Sequence, residues 1–170
     1  MLPLEPIKSH KPPREILATD FQLHLPIRGG WGYTQVDACI IDKHDPIVNP
    51  AIPFHGIGIE EIFVEHRCYE EMIIFRPEEE RLAGIRWKRQ MQYLIPTPGE
   101  GRIFDRLVFT VTAFRDQDWE QLKAAYEGPS GYGKLGFDPV AHAMWREEKK
   151  LTFTKEFWFD ITSFYGQLSE

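Results

Sequence analysis

The sequence predicts an α+β fold: one mostly antiparallel sheet of about five strands with helices packed on one face, in the order ββαββααβ. Three observations carry that expectation. The stretch Gly84 to Arg115 alternates apolar and polar residues along two arms joined by Pro96-Thr97-Pro98-Gly99-Glu100-Gly101, which reads as a long β-hairpin. Shorter alternating runs, Ala18 to Ile27 and Thr152 to Phe164, lie near the two ends of the chain. Between them, apolar residues at spacings of three and four, with helix-capping residues, mark helices.

Taken in order, residues 1–16 hold Pro3, Pro6, Pro12 and Pro13 and read as an extended N-terminal arm, with residues 17–170 as one globular domain. Phe21, Leu23, Leu25 and Ile27 share one side of a first strand, which Arg28-Gly29-Gly30-Trp31-Gly32 stops. Tyr33 to Asp42 reads as its antiparallel partner, and the prolines of Lys43 to Phe54 as a loop. Ile59 to Phe75 carries helical spacing, with Glu60 and Glu61 near the N-terminus, where the helix dipole favours acids. The rival is a pair of strands, from Ile62-Phe63-Val64 and Ile73-Ile74-Phe75.

In the hairpin, placing Ile95 opposite Ile103 puts odd-numbered residues opposite odd-numbered ones and buries both apolar sets together. Asp116 to Glu127 follows as a helix, with Asp118 and Gln121 spaced as a capping box. Pro139 to Lys150 is another, with Asp138 as its cap and Pro139 in its first turn.

Composition narrows function further. Apolar residues at 42% and charged residues at 27% belong to an ordinary globular chain, and no run reaches the ~18 apolar residues of a membrane span. Cys39 and Cys68 match no metal or disulfide-framework spacing and read as reduced thiols, so a cytoplasmic home is expected. The net charge of -6 is unevenly placed: seven Arg or Lys stand against Glu100 and Asp105 between Arg81 and Arg115. Eight Glu stand against Arg67 and Arg76 between Ile59 and Glu80. The basic hairpin suits an acidic protein partner, whereas the acidic remainder argues against nucleic acid.

Catalytic and cofactor motifs fail on inspection. Gly128 to Lys134 fits most of a phosphate-binding loop, but Leu135 stands where a Mg²⁺-binding hydroxyl is required and the segment follows a helix. His66 and Glu70 sit one helical turn apart, with His55 and Glu61 as further candidate ligands, yet no histidine pair has metal-site spacing. No cofactor is expected, and no nucleophile has a base at working spacing.

Two sets of residues break the β pattern. Arg89, Asp105 and Lys155 interrupt the inward apolar face, so they are expected to pair, to lie at an edge, or to line a cavity suited to an anionic small molecule. On the opposite face Trp158, Val108 and Phe114 interrupt a polar row, as at an interface with a second copy or a partner. The leading expectation is a binding or accessory protein acting through the hairpin and the Trp158 face. The alternative is a small-molecule or metal-dependent enzyme or ligand-binding domain, using the cleft of Arg89, Asp105 and Lys155 or a metal held near His66 and Glu70.

Overall fold

A computed structural model describes residues 8–166 of the chain, so residues 1–7 of the expected arm lie outside it. Nine principal elements follow one another: α1 Pro13–Phe21, β1 Ile27–Gly29, β2 Cys39–Ile41, α2 Gly56–Tyr69, β3 Leu82–Thr97, β4 Arg102–Arg115, α3 Asp116–Glu127, α4 Pro139–Lys149 and β5 Leu151–Asp160. The five strands form one sheet in the order β1-β2-β5-β4-β3, antiparallel throughout except for the parallel pair β2 and β5. The α+β class with a single, mostly antiparallel sheet is therefore what the chain adopts.

The expected first strand, Ala18 to Ile27, is split: Ala18 to Phe21 belong to α1, the next five residues are irregular, and only Ile27 is in a strand. Pro13 sits in the first turn of α1, where a fixed φ suits the helix and no amide hydrogen is needed, so the prolines start a helix instead of prolonging the arm. Leu17 is buried, Gln22 ends the helix in the left-handed region at φ 51°, and only Ile27–Gly29 pairs with β2. The second strand is likewise shortened to Cys39–Ile41. A turn held by Asp37 Oδ1, which accepts from the Thr34 amide at 2.6 Å and hydroxyl at 2.8 Å, leaves Val36 in solvent.

The helical reading of Ile59 to Phe75 holds. The His55 side chain caps α2 by accepting from the Gly58 amide at 2.7 Å, and the helix widens into a π-helical turn over Glu70–Ile74. Phe63 and Val64 are fully buried against the odd-numbered face of the sheet, Phe63 meeting Phe159 edge-on at 5.4 Å. Each such side chain contributes about 1.5–3 kcal/mol. Phe109 and Phe157 are enclosed on this face while Lys88 is exposed, as the alternation requires. The later helices lie elsewhere: α3 folds back over the end of β4 and stacks Trp119 on Phe114, an even-numbered position, at 5.2 Å.

The hairpin departs from its expected register. Trp87 pairs with Val111 and Arg89 with Phe109, but Met91 pairs with Val108 and Ile95 with Phe104, because a bulge at Gln90 adds one residue to β3. Beyond it the parity of β3 reverses. Met91 and Tyr93 join the even-numbered face of β4, and Gln92 and Leu94 turn to the face that α2 covers.

Candidate functional site

That reversal assembles a group of polar side chains beneath α2. Asp105 on β4 is 3% exposed, and its Oδ2 accepts a hydrogen bond of 2.6 Å from Gln92 Nε2, which reaches it only because of the bulge. Its Oδ1 has no donor. Glu60, in the second turn of α2 and also 3% exposed, brings its carboxyl within hydrogen-bonding reach of Asp105. Two acids so placed cannot both ionise cheaply. Burial, followed by the charge of Asp105, pushes the Glu60 pKa up to about 8, with Arg89 acting weakly the other way. Burial also raises the Asp105 pKa, against the hydrogen bonds from Gln92 and Glu60 that lower it. Near neutrality the pair therefore shares one proton, as acid dyads do.

Glu60 opens onto a cleft of about 470 Å³ between α2 and the hairpin, walled by Trp87, Leu107 and Phe109 and rimmed by Ile57, Glu61, Glu65 and Arg89. Tyr69 packs edge-on to Trp87 at 5.8 Å at one end. Such a volume and mixed lining fit a small ligand. The acid surplus does not suit the anion expected from the sequence.

Of the three inward charges, the structure brings Arg89 and Asp105 together around Glu60. Lys155 lies in the same cross-strand row as Arg89 and Phe109, but its ammonium pairs with Glu71 in a neighbouring network. There the Arg67 guanidinium, 1% exposed, is stacked 3.9 Å from the rings of both Tyr33 and Phe157. It donates to the carbonyls of Trp31 and Gly32 at 3.2 and 3.3 Å. Tyr33 donates to Glu71 at 3.1 Å. Lys155 thus belongs to an internal ion network and does not line the cleft.

The even-numbered face carries a different cluster. Arg106 lies over the rings of Tyr93 and Trp158, at 5.2 and 5.6 Å, and pairs with Glu156, which also accepts from the Trp158 indole at 3.2 Å. Met91 and Val108 pair in the next row, and Tyr93 and Met91 are exposed. Phe114, grouped with Trp158 and Val108 from sequence, is 1% exposed under Trp119 and inaccessible to a partner.

The remaining candidates are occupied by local structure. His66 Nδ1 lies 2.8 Å from the Ile62 carbonyl, Glu70 is fully buried beside Asp20 with neither carboxyl oxygen meeting a donor, and no cluster of three or more potential metal ligands exists among the described residues. The first-turn amides of α4, those of Val140 and Ala141, donate to Asp138 and so are not offered to a phosphate in the Gly128 to Leu135 loop.

Sequence reasoning missed Glu60 and Gln92. The available signal was the polar run Lys88-Arg89-Gln90, which breaks the alternation where the bulge falls. No family model matches the sequence, and no curated protein or solved structure is similar to it.

Proposed function

We propose that this chain is a small-molecule-binding domain whose site is the cleft between α2 and the β3–β4 hairpin. The observation that carries the reading is the Glu60–Asp105 pair: two buried carboxyls, in no salt bridge among the described residues, beside an opening of ligand size. Burying acids without a counter-ion costs stability, and shifts of this kind cluster at functional sites. The acid pair gives a ligand something specific to meet, while Trp87, Leu107 and Phe109 provide apolar area.

A thermal-shift screen covering amines, anions, nucleotides and divalent ions tests this on the wild-type chain and on Ile57→Trp, which fills the rim from an exposed position. Stabilising compounds are expected, reaching about 2.7 kcal/mol at a hundred times Kd, and the substitution should abolish their effect. A flat screen, or hits indifferent to Ile57→Trp, would refute the cleft as the site.

A second reading is favoured by the row Tyr93-Arg106-Trp158, since Tyr, Trp and Arg are the residues that dominate interface energetics. Arg86 and Lys88 are exposed on the same face, so an acidic protein surface complements it. A face-to-face second copy would oppose basic rows. Monomeric mass by light scattering is expected, together with salt-sensitive retention on immobilised polyglutamate that Lys88→Glu weakens. A dimer lost in Trp158→Arg would replace the acidic partner by a second copy, and no retention would remove the reading.

A further inference from the structure

We infer that the cleft between α2 and the hairpin takes a small organic cation, an ammonium or guanidinium head on an apolar body, with Glu60 as its counter-ion. The inference rests on the cleft being a ligand site and adds the class of ligand. Glu60, Glu61 and Glu65 face the cleft from α2 and Arg89 faces it from β3, with Asp105 behind Glu60 on β4, so the acids outnumber the single guanidinium. Arg89 makes no ion pair within 4.0 Å among the described residues, and it leaves Glu60 without a salt bridge.

Acidity alone would not mark a site. The independent sign is that Glu60 is almost wholly buried, lines the cleft, and is in no salt bridge among the described residues, its nearest acid being Asp105. Trp87 and Phe109 add aromatic surface, whose π-systems attract ammonium and guanidinium groups, and Ile57 and Leu107 add aliphatic wall for the body of the ligand. A neutral or anionic head would leave the acid pair uncompensated or repelled.

Binding has a defined proton balance. The arriving ammonium keeps its own protons, Glu60 ionises against it, and the proton that Glu60 held passes to the buffer. Release is therefore expected near neutrality and should vanish above about pH 8, where Glu60 is already ionised.

The test uses three probes of matched shape: phenethylamine, 2-phenylethanol and 3-phenylpropanoate, each at millimolar concentration with ¹⁵N-labelled protein. Phenethylamine alone is expected to shift the amide signals of Trp87, Arg89 and Leu107. Its affinity should fall about tenfold or more in Glu60→Gln, and calorimetry in buffers of different ionisation enthalpy should register proton release near neutral pH only. If the alcohol or the carboxylate moves the same signals as strongly, the cation inference is overturned and the cleft stands. If no probe moves them, both fall. Unchanged phenethylamine affinity in a folded Glu60→Gln overturns the role of Glu60, and should that variant misfold, the wild-type ranking of the three probes decides.

Discussion

Glu60→Gln is expected to make the protein more stable at alkaline pH while leaving it nearly unchanged in mild acid. The sign follows from a raised native pKa. Below about 4.5 the carboxyl is protonated in both native and unfolded chains, and the stabilisation from the tighter native proton is fully present. As pH climbs towards about 8 the unfolded chain gives up that proton and the native chain holds it, so stability drains away across this window. Because each tenfold gain in proton affinity is worth about 1.36 kcal/mol, a rise from 4.5 to about 8 makes the loss from Glu60 on the order of 5 kcal/mol. Glutamine keeps the shape, donates to Asp105 through its amide and has no proton to lose. Denaturant titrations near pH 5 and about pH 9 check the result. Glu70, fully buried with its pKa raised to about 8 by burial and by Asp20, loses stability over the same window, so Glu60→Gln/Glu70→Gln should flatten the profile further. If Glu60→Gln keeps the wild-type slope, the shared proton does not exist.

Arg67→Ala is the most damaging single change expected outside the hydrophobic core. The guanidinium is held between Tyr33 and Phe157, bonds two backbone carbonyls and lies 3.9 Å from the Glu71 carboxylate. Removing it leaves those carbonyls without their donor and opens a void between the rings, where surrounding side chains cannot readily collapse. Loss of a buried ionic partner costs about 3–5 kcal/mol, although Lys155 and Tyr33 still bond Glu71. Arg67→Met preserves most of the stacked volume and should cost less, so the two variants separate packing from charge. Equilibrium unfolding in urea supplies both numbers, and a loss under about 1 kcal/mol for Arg67→Ala would mean that Arg67 is not integral to the fold.

The two sites are legible in the sequence to different degrees. Arg89 and Asp105 stand out because charges on an apolar strand face need an explanation, and both border Glu60. Lys155 stands out for the same reason but finds Glu71, since the widened turn after α2 carries buried acid to that part of the sheet. No local pattern foretells which acid will meet which base across 84 positions of sequence separation. Parity assigns Tyr93 to the covered face, yet it lies on the bare one, where it joins Arg106 and Trp158.

What the sequence by itself determined was local and periodic. Alternation chose the faces of β4 and β5, helical spacing placed α2, and the Asp138-Pro139 pair set the start of α4. These depend on interactions within a few residues, and such preferences survive any tertiary context that buries the apolar side. Only the tertiary structure decided the rest: the bulge at Gln90, the helix begun by Pro13 and the meeting of Glu60 with Asp105. The bulge trades ladder bonds against packing over the whole hairpin, and the meeting of the acids requires α2 to settle on β4. Their energies belong to contacts between distant segments, which exist only once the chain has folded.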